Sequence, residues 1–185
     1  MLARARRLLR PGAGCGAVNK LRVALAGNPN AGKSSLFNEL TGSRQHVGNW
    51  PGKTVERKQG SFIQDGVEVE LVDLPGIYSL SAFSIEEIVA RDYILDEKPD
   101  AIVSVVDASN LERNLYLTIQ LLELGLPVIV VLNMSDLATS RGLRIDQQAL
   151  SRSLGAPILP TVANRGQGIA ELRTELLKLA ERTVQ

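Results

Sequence analysis

Between an apolar run and a helical stretch, residues 27–34 read Gly-Asn-Pro-Asn-Ala-Gly-Lys-Ser, a full G-x-x-x-x-G-K-S phosphate loop. Such a loop must leave a buried strand and open a helix, because it works by converging backbone N–H groups at a helix N-terminus. Both flanks are present: Leu21, Val23, Ala24, Leu25 and Ala26 before it, and Ser35, Leu36, Phe37, Asn38, Glu39 and Leu40 after it. A strand, loop and helix in this order commit the chain to an α/β architecture. Gly27, Asn28, Pro29, Asn30, Ala31 and Gly32 would form the cradle for anionic oxygens. Lys33 would reach the β and γ phosphates, the Ser34 hydroxyl would be left for Mg²⁺, and Ser35 would join the nucleotide-binding set at the helix start.

The remaining pattern extends that unit. Short apolar runs alternate with helical periodicity, which predicts a mainly parallel sheet with helices on both faces. Strands are expected at 21–26, 61–64, 67–72, 101–106, 128–132 and 158–161, which makes six. The Asp65-Gly66 dipeptide predicts a tight hairpin joining the second and third, hence one antiparallel edge. Runs 101–106 and 128–132 are almost unbroken apolar, as strands covered on both faces require. Helices are expected at 32–40, 84–94, 111–124, 146–154 and 168–180. Leu111, Leu115, Ile119 and Leu122 are read as the core stripe of the third, and Glu86, Glu87 and Arg91 as a solvated face of the second. No internal repeat or linker divides 21–185, so one domain is expected there. Residues 1–20 read as a basic, loose extension.

Charge and composition remove several classes of function. The 185 residues carry 21 basic and 20 acidic side chains, but five of the basic ones fall in residues 1–20. The body is therefore about −4 and offers no basic field for nucleic acid. A single cysteine and a single histidine exclude an internal disulfide and a Cys/His metal cage. His46 is one imidazole, too few ligands for iron, and is read as a solvent-facing loop residue. Trp50 is read as an exposed or partner-facing aromatic. No run of about 18 apolar residues crosses a bilayer.

Two further motifs each follow a predicted strand. Asp73, Leu74, Pro75 and Gly76 lie where the third strand ends, so Asp73 can hold Mg²⁺ through water while the Gly76 N–H senses a γ-phosphate. Thr54, in the loop after the first helix, supplies a second hydroxyl for the metal when the γ-phosphate draws that loop inward. Asn133, Met134, Ser135 and Asp136 follow the next apolar strand. The Asp136 carboxylate can accept from guanine N1–H and from the exocyclic amine that adenine lacks, so GTP is favoured over ATP. Val162, Ala163 and Asn164 then occupy the place of a last guanine-contacting loop, and GDP release is expected to depend on residues 163–166.

Four stretches together carry a resemblance: 27–34, Val47-Gly48-Asn49-Trp50-Pro51-Gly52-Lys53-Thr54-Val55-Glu56, Asp73-Leu74-Pro75-Gly76-Ile77-Tyr78-Ser79-Leu80, and Asn133-Met134-Ser135-Asp136. The chain resembles, over about 21–181, the GTPase domain of the bacterial ferrous iron transport protein B family. The phosphate and base motifs are shared by many GTPases, whereas the Gly-Asn-Trp-Pro-Gly switch and the Tyr-Ser-Leu extension are much narrower. Lys53 departs from the apolar residue usual there, Ala163-Asn164 replaces a Ser-containing pair, and the basic extension precedes the usual start. The resemblance implies a Ras-like P-loop fold, GTP and GDP as ligands, and Gly52, Lys53, Thr54, Val55 and Glu56 in the nucleotide-responsive switch.

Ile77 stands where Ras-like proteins place a water-orienting glutamine, and an isoleucine cannot hydrogen-bond a nucleophile. The work of positioning water and offsetting charge passes to backbone groups and cations. The resemblance implies that K⁺ is one such cation, held by Asn30 and the backbone carbonyls of Gly48 and Trp50. It also implies slow GTP hydrolysis that regulates iron uptake at the cytoplasmic face of the bacterial inner membrane. Helical and transmembrane permease domains would belong to the same full-length protein, and self-association into a homo-oligomer stays open. The competing class is a ribosome- or RNA-associated GTPase of the Era or TrmE kind, which the acidic body and the Gly-Asn-Trp-Pro-Gly switch disfavour.

Overall fold

In the computed structural model, which describes residues 19–183, seven strands form one sheet in the order β2-β3-β4-β1-β5-β6-β7. The strands are β1 Asn19–Gly27, β2 Gln45–Asn49, β3 Glu56–Gln64, β4 Val67–Asp73, β5 Ala101–Asp107, β6 Val128–Asn133 and β7 Ile158–Pro160. The helices are α1 Lys33–Thr41, α2 Ile85–Asp92, α3 Leu111–Glu123, α4 Ser135–Ser140, α5 Gln147–Leu154 and α6 Ile169–Thr183, with a π-turn, Tyr93–Glu97, continuing α2. Asn19 and Lys20, read from sequence as extension, are the first residues of β1. The rest of that extension lies outside the described residues.

β1 pairs in parallel with β4 and β5, and β5, β6 and β7 continue in parallel. β3 runs antiparallel to β4 as the Asp65-Gly66 hairpin demands, and both turn residues have positive φ, 53° and 75°. That pair of angles gives the turn twist that matches the flanking strands. The sheet has one strand more than the sequence pattern predicts, because residues 45–49 pair antiparallel with β3 as an outer strand. β3 also starts earlier, at Glu56.

The period of two along β1 divides the core. Leu21, Val23 and Leu25 face α1 and α6 with Leu36, Phe37, Leu40, Leu172 and Leu176. Ala24 and Ala26 face the other layer with Val89, Tyr93, Leu117 and Leu121. Strands buried on both faces need apolar residues at every position, which is why β1, β5 and β6 read as continuous runs. Phe37 is fully buried, and Phe37→Ala is expected to cost about 3–5 kcal/mol of stability by loss of transfer energy plus a cavity. Urea denaturation followed by circular dichroism checks this.

α3 meets the sheet on a face turned in part from the predicted one: Leu111 and Leu122 of the expected stripe pack against the core from its edge. Asn114, Leu117, Thr118 and Leu121 are buried, whereas Ile119 is 46% exposed. Two polar side chains can occupy that face because each is bonded: Asn114 Oδ1 accepts from the Asp107 N–H, and the Thr118 hydroxyl lies 2.9 Å from that of Ser104. A buried polar group with a partner avoids the desolvation penalty.

Candidate nucleotide site

The carboxyl ends of β1, β4, β5 and β6 open on one edge of the sheet, the usual place for a ligand in an open α/β fold. The phosphate loop leaves β1 there. Asn30 holds φ 65° and Gly32 φ 87°. Ala31 N–H donates to Asn28 O at 3.2 Å, and Leu36 N–H to Gly32 O at 3.1 Å, so the loop turns directly into α1. A Cβ at Gly32 would collide with Asn133 Nδ2. The glycine is thus needed for its conformation and for the close approach of a second motif.

Asn133 joins three segments. Its Nδ2 donates to Ala31 O at 2.9 Å, and its Oδ1 accepts from Thr161 Oγ1 at 3.1 Å and from the Ala163 N–H at 3.0 Å. It is 3% exposed, so each bond is shielded from water and the loss of any one would strand a buried polar group. Ser135 adds to the joint, its N–H and hydroxyl both donating to Thr161 O. Sequence reasoning named Ser135 within its motif without giving it a role and missed Thr161, whose only signal was its position beside Val162.

Beside this joint lies a cavity of about 280 Å³ lined by Gly32, Ser35, Asn133, Met134, Asp136, Leu137 and Asn164. Met134 takes φ 58° and caps α4, and its Cε would lie 3.7 Å from a Cβ at Gly32. Residues of three sequence motifs thus line one cavity, with Val162 and Ala163 buried nearby. Asp136 Oδ1 accepts from the Leu137 N–H at 2.9 Å. Its Oδ2 lies 3.4 Å from Arg165 Nη1, an ion pair that the motif reading missed.

At the phosphate end, Asp73 is 8% exposed and Lys33 Nζ lies 3.5 Å from its Oδ1. That oxygen has an ion-pair neighbour but no hydrogen bond. Burial raises the Asp73 carboxyl above the usual carboxylate range, opposed by the charges of Lys33 and Lys58 and by the Ser34 hydroxyl. A buried, under-bonded carboxylate oxygen near a helix-start hydroxyl fits a hard divalent cation such as Mg²⁺, which takes one or two carboxylate contacts alongside phosphate oxygens. The Asn28 amide is likewise buried with neither polar atom bonded.

The Asp73-x-x-Gly segment is pinned to the phosphate loop. Leu74 N–H donates to Leu25 O and Ile77 N–H to Gly27 O, and a Cβ at Gly76 would sit 3.0 Å from Pro29 Cα. Ile77 is buried and presents no group to a phosphate. Further along, Glu87 is not part of a solvated face. Its carboxylate accepts from the Phe83 N–H and the Ser79 hydroxyl, while Ser84 caps α2 by accepting from the Glu87 N–H. Glu86 is exposed, and Arg91 pairs with Asp92 at 3.2 Å.

The first switch stands apart. Gly48 lies in β2, opposite Arg57. Gly52, Thr54 and Glu56 are exposed and Lys53 and Val55 half-buried. Thr54 precedes by four residues Lys58, the residue registered with Asp73. Trp50 is 7% exposed, contrary to its expected exposure, because its ring packs edge-on against Tyr93. Burial pushes the Tyr93 hydroxyl up to about 12. His46 is exposed, in β2 rather than in a loop. Among the described residues, no three His, Cys, Asp or Glu side chains gather to hold a metal, and no helix is long and apolar enough to cross a membrane.

A mainly parallel sheet, a glycine-turned phosphate loop at the end of β1, a carboxylate at the end of β4 and an Asn-x-x-Asp motif beside a cavity after β6 define a P-loop GTPase domain. Comparison with known proteins gives its family. The family model for ferrous iron transport protein B matches residues 21–176, and the chain belongs to that family. The Fe(2+) transporter FeoB of Escherichia coli (strain K12) is 56% identical over 167 residues, 88% of this chain and 21% of that protein. The chain thus spans about a fifth of the curated relatives' length. The solved FeoB G-domain from Methanococcus jannaschii is 46% identical with a TM-score of 0.78, over 88% of this chain and 99% of that one. A mutant of S. thermophilus NFeoB bound to GDP is 51% identical with a TM-score of 0.78, over 86% of this chain and 61% of that one.

Proposed function

We propose that this chain binds GTP and GDP with Mg²⁺, hydrolyses GTP slowly with help from K⁺, and reports its nucleotide state to a ferrous-iron permease in the rest of a longer protein. The observation that carries the reading is the Asn133 joint, which locks the phosphate loop, the start of α4 and the Ala163 loop around one cavity beside Asp136. Family membership and the GDP-bound relative support guanine as the base. They leave the RNA-associated reading without support.

In this reading the backbone N–H groups of residues 27, 28 and 30–32 and the Lys33 ammonium hold the β and γ phosphates. Ser34, Asp73 and an inward-moving Thr54 hold Mg²⁺, which offsets charge on the transferring phosphoryl group when bound. Gly76, fixed against Pro29, offers its N–H to the γ-phosphate. Asn30 and the carbonyls of Gly48 and Trp50 hold K⁺, a role that a glutamine or arginine fulfils elsewhere. Residues 1–18 are a basic extension to the domain, and the permease and helical domains of the same protein are its partners, placing it at the cytoplasmic face of the inner membrane.

Phosphate release measured in K⁺ and in Na⁺ buffers tests the potassium step. K⁺ is expected to raise turnover by about tenfold or more, the scale of a transition-state charge contact, and Asn30→Ala is expected to remove that stimulation while GDP binding persists. Equal turnover in the two salts for the unmutated protein excludes it.

A further inference from the structure

The first switch is gripped by groups that lie outside the nucleotide-contacting set. Trp50 meets Tyr93 at 5.4 Å between ring centroids and 71° between planes. The Arg57 guanidinium stands 4.6 Å from the Trp50 centroid and 6.0 Å from that of Tyr93. Lys53 Nζ pairs with Asp92 at 3.7 Å. Val89 and Pro51 close the surroundings of a cavity of about 190 Å³ between the switch and α2. Cation–π and edge-to-face contacts of this kind hold best when shielded from water, and Trp50 is shielded.

The gripped conformation conflicts with the catalytic one. The Trp50 carbonyl accepts from the Lys53 N–H at 3.0 Å and the Trp50 N–H donates to Val55 O at 2.9 Å, so its backbone is committed to a closed turn. Gly48 is held in the β2–β3 ladder, and Thr54 is exposed, four residues before the Lys58 that is registered with Asp73. The grip is also poised to let go. Trp50 Nε1 and Arg57 Nε are buried donors with no acceptor, and that desolvation weakens the closed state.

We propose that the Trp50–Arg57–Tyr93 stack and the Lys53–Asp92 pair form an autoinhibitory clasp that holds the first switch off the metal end of the site, and that its opening limits GTP hydrolysis. The inference rests on the GTPase reading above. A ligand shifts such an equilibrium only by its differential affinity for the two states, and the γ-phosphate with its cations supplies that difference through Thr54 and the Gly48 and Trp50 carbonyls.

Trp50 is the one tryptophan of the chain, so its fluorescence reads the clasp directly. With GDP its emission is expected to stay blue-shifted and protected from acrylamide. With a non-hydrolysable GTP analogue, Mg²⁺ and K⁺ it is expected to shift red and become quenchable. The double variant Arg57→Ala, Asp92→Ala is expected to show the red-shifted state already with GDP and to turn over GTP about three- to tenfold faster, as loss of a modest closed-state bias requires. Emission that is the same in both nucleotide states of the unmutated protein overturns the clasp even if the variant fails to fold. Slower or unchanged turnover in a folded variant overturns it too, and shows the stack to be an anchor. If the unmutated protein binds GDP normally in these trials, the GTPase reading survives that loss; if it binds no guanine nucleotide, both fall together.

Discussion

Lys33→Ala is expected to lower GTP turnover by about 10²–10³-fold, the scale seen when one preorganised cationic or N–H donor is taken from a developing oxyanion. The side chain is 10% exposed and faces Asp73 at 3.5 Å. Its loss removes a phosphate ligand and also leaves the Asp73 carboxyl without its nearest counter-charge. Burial is the largest influence on Asp73 and already favours its neutral form, with Lys33 the main opposing charge. Single-turnover phosphate release at saturating Mg²⁺ checks the loss. Full activity in the variant would show that the ammonium does not touch the reacting phosphates.

Asp136→Asn is expected to weaken GDP binding by about 10²-fold or more and to make xanthosine diphosphate the preferred ligand. The carboxylate can accept two guanine donors, whereas an amide turns one of its own donors toward them and strands a polar group in a partly buried cavity. Xanthine offers a carbonyl in place of the exocyclic amine and suits the amide. Arg165, 3.4 Å from Asp136, loses its charge partner in the same variant, so displacement of a fluorescent GDP by each diphosphate must be compared at fixed salt. Unaltered guanine preference would show that Asp136 does not read the base.

The strands were legible where burial on both faces forces continuous apolar runs, as in β1, β5 and β6. The hairpin was legible because Asp65 and Gly66 tolerate positive φ. β2 escaped because all five of its residues are exposed; its pairing with β3 is a backbone matter with no apolar alternation to announce it. The early start of β3 escaped for the same reason, since Glu56, Arg57, Lys58 and Gln59 read as loop. α4 is six residues of mostly polar character opened by a left-handed methionine, too short for a period to emerge.

The site was legible as separate motifs, each carried by chemistry that tolerates few residue types. Their joint was not. Nothing in the spelling of Asn133 tells that its amide bonds Ala31, Thr161 and Ala163 at once, for those partners are 102, 28 and 30 residues away. Trp50 was misread because a lone tryptophan beside Pro51 and Gly52 gives no sign of a partner, and its partners Tyr93 and Arg57 sit on the π-turn after α2 and on β3. α3 was misread because Asn114 and Thr118 are buried through bonds rather than apolarity.

Titration calorimetry of the purified chain with GDP and with ADP in Mg²⁺ buffer bears most directly on all of this. Saturable binding of GDP at one site, with ADP binding at least about 100-fold weaker as a stranded base contact requires, is the expected result. Equal affinity for the two, or no heat with GDP, would contradict it.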